Sequence, residues 1–485
     1  MTTLTSQVVC LDGSPQIRLY DSRGKSWCEE SLKVAPAYSL QSYPLRMPCF
    51  KYAISCSRFF IVYLTRYPLL WRMPRTLTYE DIVLREFETG RHIVIVIRFL
   101  VGRSGGAERI YCELANMLSD EGFRVTCLHF DEKVGGPFYP VNPRVEIINL
   151  YGKTKTKAQR RAEALPSFKF VPESWRNKAN WIIKHDFFLE QLESYFRYNS
   201  PDLAISLLPS ANTVTLIAGR RTNTKVVATN HNVPKEDYES PARWDPNPID
   251  REKRLKALDH AAAIHVLFDD FGNWFPPHLQ DRIVTIPNYI SPEFSLHTPA
   301  PEREKIIVAA GRLAAVKNYL QLVRSWREVA ADFPDWKVHL FGTGPQRHDL
   351  RREVEALGIG ESFKLLGHRS DLGEVYAKSS IFCHPAHHEG FGLAPAEALY
   401  LKTPVVFYDD CPGLSNFVKD GYNGVAVRKR SGPDGLAEGL RLLMANDELR
   451  QALAENGPRS VSDFTIDNYR HRWMSLIGKL IGEAA

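Results

Sequence analysis

The feature that most restricts this chain is an alternation that begins at Arg91. HIVIVIRFL, residues 92–100, is a short β-branched apolar run with little polar alternation. Runs of this kind form strands buried on both faces, the situation inside parallel sheets. A Gly-rich turn, GRSGG, follows, and AERIYCELANMLSDEGF then places apolar residues at helical spacing before stopping at Gly122. RVTCLHF is the next strand. Strand, loop, helix and strand make one βαβ unit, and parallel neighbours require such crossovers. DLAISLL, KVVATNHN and AAIHVLF continue the series less regularly, and RIVTIPNYI closes it.

SPEFSLHTPAPEREK is rich in proline and charge and reads as a connection. Beyond it the alternation restarts with KIIVAAGRL, WKVHLFGTGP, SFKLLGHR, SIFCHPAH and TPVVFYD, each separated from the next by a helical pattern. The fold class predicted is α/β, with two Rossmann-like, doubly wound sheets. The first spans residues 91–294, a linker 295–304, the second 305–465, and a C-terminal helix over 466–485 packs back on the first. Ligands of such sheets bind outside the carboxyl ends of the strands. Functional residues are therefore sought in the loops that follow strands, facing a cleft between the two sheets.

Composition narrows the class. With 485 residues, 44% apolar and 24% charged, the chain is long enough for several compact cores and is not a disordered or disulfide-built protein. A net charge of +6 is too small to imply nucleic acid as a partner. Eight cysteines show no C-x-x-C pair, which suits a reduced, cytoplasmic protein. No secretory signal opens the chain, and no stretch reaches the roughly 18 apolar residues of a membrane span.

Two stretches stand apart. Residues 1–90 read as an extension of unclear order, and 33–79 carries seven basic residues, no Asp or Glu, and many aromatics. Residues 153–184 are likewise basic with interleaved Trp and Phe. Both suit the surface of an anionic bilayer, on the inner face of the cell membrane. The alternatives are a solvated face at 153–184, and for 1–90 an extension without fixed order or a reading frame that begins too early.

The densest chemistry lies in HHEGFGLAPAE, residues 387–397, where a buried strand runs through a Gly-containing loop into a helix. Gly390 and Gly392 allow close backbone approach, and the N–H groups around Phe391, Gly392 and Leu393 favour an anion. Glu389 and Glu397 are carboxylates suited to paired sugar hydroxyls. After the strand IIVAA, Arg312 and Lys317 flank a short loop where two cations could stabilise a departing diphosphate without a metal. No D-x-D follows a suitable strand, and His387 with His388 lacks further ligands at metal spacing. His265 and His384 fall inside strand-like runs and read as core.

In combination, A-G-R-L-x-x-x-K-N, F-G-x-G-P and H-x-E-G-F-G-x-x-x-x-E, with GGAER after the first strand, resemble the retaining glycosyltransferases of family 4, which have the GT-B fold. The likeness covers roughly 91–470 and excludes 1–90. It implies transfer of a hexosyl or N-acetylhexosaminyl group from a nucleotide sugar to a glycan or lipid-linked acceptor, with no cofactor or metal required, in a bacterial surface-polysaccharide setting. By the same resemblance, Arg312 and Lys317 hold the diphosphate, Glu389 binds the transferred sugar and Glu397 the ribose. Phe391, Gly392 and Leu393 offer backbone groups, Gly105 and Gly106 close over the diphosphate, Arg369 lies near the base, and His231 lies near the reacting sugar.

A dehydrogenase is disfavoured because no G-x-G-x-x-G follows the first strand, and a P-loop hydrolase because GKT at 152–154 lacks its upstream Gly. A sugar phosphorylase on the same fold and a non-catalytic binding or scaffold homologue stay open as alternatives.

Overall fold

The β-branched runs become inner strands of two parallel sheets in the computed structural model of the chain. The structure describes residues 5–11, 14–20 and 26–31, and residues 90–485 apart from 153, 165–170, 241–246, 429–433 and 483–485. Residues 1–87 form a unit of their own. Its described part is an antiparallel sheet of β1 (Thr5–Leu11), β2 (Ser14–Tyr20) and β3 (Ser26–Ser31). Leu11 pairs with Ser14 at one end of the β1–β2 register. The basic stretch 33–79 lies outside the described residues.

Residues 88–485 form the second unit. Its first sheet contains β4 (His92–Ile97), β5 (Arg124–His129), β6 (Glu146–Asn149), β7 (Leu203–Leu207), β8 (Val226–Thr229), β9 (Ala263–Val266) and β10 (Ile283–Thr285). Their order is β10-β9-β8-β7-β4-β5-β6. The second sheet contains β11 (Glu304–Ala310), β12 (Lys337–Phe341), β13 (Phe363–Gly367), β14 (Ser379–His384), β15 (Val405–Tyr408) and β16 (Gly424–Val427), in the order β13-β12-β11-β14-β15-β16. Neighbours in both sheets run parallel.

All six residues of β4 are buried, because helices cover both faces of its sheet. Chain direction through the sheet reverses beside β4, which has β5 on one side and β7 on the other, and again beside β11, between β12 and β14. Those switch points open crevices at the strands' carboxyl ends.

The halves share apolar core. Phe268, after β9, stacks on Phe391 at 5.5 Å, and Phe417 and Phe464 close around them. The chain returns from the second half at Phe464, whose carbonyl accepts from Ile290 N at 2.9 Å. The helix Ile466–Ile481 then lays Tyr469, Trp473, Leu476 and Ile477 in one cluster with Ile93, Ile95 and Leu203 of the first sheet. Part of the basic stretch 153–184 is also core. The helix Glu173–Asn199 buries Trp181, Phe188, Leu192 and Phe196 on one face, while Trp175, at its start, is 61% exposed.

Candidate active site

The carboxyl ends of β4 and β11, with the loop after β14, line a cleft of about 430 Å³ between the two sheets. Two helices start at its walls. Gly106–Asp120 follows the Gly-rich turn, and Leu393–Tyr400 follows the turn after Glu389; neither N-terminus carries a side-chain cap. Their first N–H groups are thus unsatisfied by the helices, and each end carries partial positive charge. The two starts are close neighbours, since a Cβ on Gly106 would touch the Leu393 side chain at 3.5 Å. Both helix ends therefore favour an anion in one place.

Two glycines shape the second wall. Gly392 has φ 86°, a left-handed conformation that other residues adopt only with strain. Gly390 lies against the first half so closely that a Cβ there would collide with the carbonyl of His231 and with Asn232 Cα. Phe391, between them, is 3% exposed and points into the shared aromatic core, leaving its backbone at the cleft.

Glu389 forms an ion pair with Lys317 and lies 3.5 Å from His384 Nε2. Burial acts to raise its pKa. The Lys317 ammonium and the His384 contact outweigh burial and hold the carboxyl well below the usual range. His384, at the end of β14, is itself kept low by burial. It is core, as its strand-like surroundings suggest, yet it also lines the cleft and supports Glu389. Lys317 ends the short turn Ala315–Lys317, and Asn318 pins that turn to β14 by donating to the Pro385 carbonyl at 3.1 Å. Arg312 is exposed at the cleft and has no side-chain partner among the described residues.

His231 faces these groups from the end of β8. Burial, then the neighbouring His265, pushes its pKa down to about 3, so the imidazole is neutral at ordinary pH. Its Nδ1 is buried without a hydrogen-bond partner among the described residues. His265 packs between His231 and Trp473 and contacts the Ile286 carbonyl at 2.8 Å.

Gly105, Gly106, His231, Arg312, Lys317, Glu389, Phe391, Gly392 and Leu393 are thus brought to one cleft. Glu397 and Arg369 are not. Glu397 is buried behind the lining and pairs with Arg109 of the opposite half at 2.9 Å. Arg369 lines a separate depression, where its guanidinium is held by Glu374 and the Asp371 carbonyl. Those local partners turn its side chain to the surface.

Two family models match end to end across the second unit. Glycosyltransferase Family 4 matches residues 104–294, and Glycosyl transferases group 1 matches residues 292–460. The chain belongs to the group 1, family 4 glycosyltransferases. An uncharacterized glycosyltransferase of Haemophilus influenzae is 24% identical over 385 residues, covering 78% of this chain and 97% of the relative. The amylovoran biosynthesis glycosyltransferase AmsD of Erwinia amylovora is 22% identical over the same shares of both chains. The pneumococcal O-GlcNAc transferase GtfA, solved with UDP and GlcNAc, superposes with TM-score 0.63 at 14% identity, covering 81% of this chain and all of that one. The fold of this glycosyltransferase is accordingly GT-B, two Rossmann-like domains facing across the cleft.

The glycosyltransferase cleft also contains residues that the motifs do not flag. Phe99 is 39% exposed with the Arg103 guanidinium over its ring at 4.8 Å. Asn232 and Asn288 complete the first wall. Position after a strand was the signal available for Phe99 and Arg103; nothing local marks the two asparagines.

Proposed function

We propose that this glycosyltransferase retains anomeric configuration and moves a hexosyl or N-acetylhexosaminyl group from a nucleoside-diphosphate sugar to a glycan or lipid-linked acceptor, without a divalent metal. The observation that carries the reading is one arrangement: an unpartnered Arg312 and the Lys317–Glu389 pair stand where two uncapped helix starts converge. Such a place favours a diphosphate beside a sugar. Arg312, Lys317 and the two helix starts stabilise the charge that grows on the leaving phosphate. Glu389, kept ionised, accepts from sugar hydroxyls.

In the proposed step the bond from the sugar's anomeric carbon to the β-phosphate oxygen breaks. The acceptor oxygen bonds that carbon on the same face, and its proton passes to the departing phosphate. His231, neutral, presents its ring or carbonyl to the sugar without adding positive charge next to the developing cation. A UDP donor is supported by the GtfA complex, and a surface-polysaccharide acceptor by the likeness to AmsD.

The test is a thermal-shift screen of UDP, GDP, ADP and their sugar conjugates in EDTA, since a ligand of the folded state raises the melting temperature. A shift with one base and none with inorganic phosphate supports the donor class. A shift with phosphate or a sugar phosphate alone overturns it in favour of a phosphorylase. Proton NMR of the product's anomeric signal then checks retention.

We further propose peripheral attachment to the inner face of the cell membrane. Exposed Trp175, Arg176, Lys178 and Lys157 support it, and no described helix is long and apolar enough to cross a membrane. Co-sedimentation with anionic but not neutral vesicles, lost in Trp175→Ser, is the expected result.

A further inference from the structure

Four asparagines are buried among the described residues: Asn212, Asn230, Asn288 and Asn423. Three of them are satisfied at both ends of the amide. Asn212 accepts from Ser206 Oγ at 2.8 Å and donates to the Thr229 carbonyl at 2.9 Å. Asn230 accepts from Tyr238 Oη at 2.8 Å and donates to the His265 carbonyl at 3.1 Å. Asn423 accepts from Lys419 N at 2.7 Å and donates to the Phe417 carbonyl at 2.8 Å. Asn288 is the exception. It is 6% exposed, and its Oδ1 is buried without a hydrogen-bond partner among the described residues. It is also the one of the four that lines the cleft.

The segment that carries it is held from both sides. Before it, Ile286 N donates to the Val266 carbonyl at 3.0 Å, and the Ile286 carbonyl contacts His265 Nε2 at 2.8 Å. After it, Tyr289 packs on Tyr469 with ring centroids 4.9 Å apart, and Ile290 N donates to the Phe464 carbonyl at 2.9 Å. The amide is thus presented from a fixed stretch of backbone. A buried acceptor left without a donor destabilises a fold. Packing gives no reason for an amide here, whereas a ligand that brings a donor does. His231 Nδ1, in the same wall, is likewise buried without a partner among the described residues. Glu389 is brought beside that wall by the close approach of Gly390 to the His231 carbonyl. A chain end entering from solvent meets the exposed Phe99 and Arg103. The part of a ligand that meets a side chain as buried as Asn288 is the part seated deepest.

We propose that Asn288 is a specificity-determining residue for the donor's sugar: its amide takes a hydroxyl of the transferred group from the first domain, while Glu389 serves from the second. This rests on the nucleoside-diphosphate reading above. An amide offers an oxygen acceptor and N–H donors, and a hydroxyl both donates and accepts, so the two match. The consequence is selectivity by orientation. A sugar whose hydroxyl points at Asn288 satisfies Oδ1, and an epimer that turns it away leaves the acceptor bare. A site built to bond a hydroxyl rejects the ligand lacking it more strongly than an apolar site rejects an added one.

The experiment is calorimetric titration of the full chain with UDP, GDP and ADP, then with the glucose, galactose, mannose and N-acetylglucosamine conjugates of whichever base binds. The unaltered protein is compared with Asn288→Leu, close in volume but without polar side-chain atoms, and with Asn288→Ala; each is also melted without ligand. Asn288→Leu should bind the nucleotide alone as the unaltered chain does. It should bind the preferred sugar conjugate about tenfold more weakly, the scale of one hydrogen bond lost from a buried group. Its preference among the sugars should narrow by a similar factor. Its melting temperature should hold or rise, because no protein partner is lost. An equal loss for nucleotide and conjugate, or no loss for either, overturns the assignment. So does a melting temperature that falls in both variants, since the amide then serves the fold. Should Asn288→Leu not fold, Asn288→Ala decides by the same difference between nucleotide and conjugate. If the unaltered chain binds none of the three nucleotides, the nucleotide-donor reading itself fails.

Discussion

Replacing Lys317 by methionine removes the ammonium while keeping most of the stem. Glu389 then retains only His384, an imidazole whose pKa burial keeps low. The Lys317 and Glu389 side chains are 23% and 17% exposed. That lies between a surface pair, worth about 0.2–1 kcal/mol, and a buried pair, whose breaking costs about 3–5 kcal/mol. The expected loss of stability is on the order of 2 kcal/mol at pH 7.5. Its pH dependence follows from linkage. In the unaltered chain the folded-state pKa of Glu389 lies below the unfolded value, so its contribution is present above the ordinary carboxylate range and is lost as pH falls through the low folded value. In the variant burial acts with little opposition, the folded-state pKa rises above the unfolded one, and acid favours the folded state. The deficit should therefore be largest at pH 7.5 and shrink toward pH 5. Urea unfolding at several pH values across that range, with Glu389→Gln and the double variant, measures it. A deficit that does not change with pH, or a coupling energy below about 0.5 kcal/mol, refutes the reasoning.

Gly390→Ala should abolish most transfer, because the added methyl meets the His231 carbonyl and forces the domains apart; wild-type turnover in a donor-consumption assay would show that the approach is not needed. Trp473→Ala, at a side chain 1% exposed in the first domain's core, should cost about 3–5 kcal/mol and free the C-terminal helix, checked by denaturant melts and proteolysis at 466–481. Acid should destabilise the fold before the carboxylates titrate. Burial, then Arg124, lowers His92 to about 4, and burial lowers His265 to about 4, so between there and about pH 6.5 the unfolded chain binds more protons, and stability rises with pH. Each imidazole withholds about 2 kcal/mol at pH 5 relative to neutral pH. A melting temperature that stays flat from pH 7 to 5 would contradict this.

The residues that were legible are those whose role is expressed within a few positions. The β4 run announces a strand because both faces are covered, and E-G-F-G announces a turn because two glycines stand where backbone must pass close. β6 left no such mark: EIIN is an edge strand whose residues alternate between half-buried and exposed, so no apolar run forms. The helix Glu173–Asn199 was hidden by its charge. Its first half lies in the basic stretch 153–184, which reads as a surface, whereas the helix spacing puts Trp181, His185, Phe188, Leu192 and Phe196 on the buried side. Arg109 and Glu397 each belong to recognisable motifs, yet their pairing joins positions 288 apart and exists only through the docking of two domains. No periodicity can encode such a contact.

Charge in the cleft is divided in a way that suits the proposed reaction. Breaking a glycosyl–phosphate bond puts positive character on the sugar and negative charge on the phosphate, a bond length apart. A site of uniform sign would help one and oppose the other. Here the cations, Arg312 and Lys317, belong to the loop after β11, and the two helix starts aim at the same region. In the proposed reaction the sugar's side falls to Glu389, held ionised, and His231, held neutral. An imidazolium at His231 would place a third cation beside the developing one and raise the barrier. The burial that lowers the His231 pKa thus has a chemical consequence beyond packing. It also explains why His265 and Trp473 behind it should matter to catalysis without touching substrate. Opening that packing to water would let His231 take a proton within the working pH range, and transfer would then fall on mild acidification where the intact enzyme holds its rate.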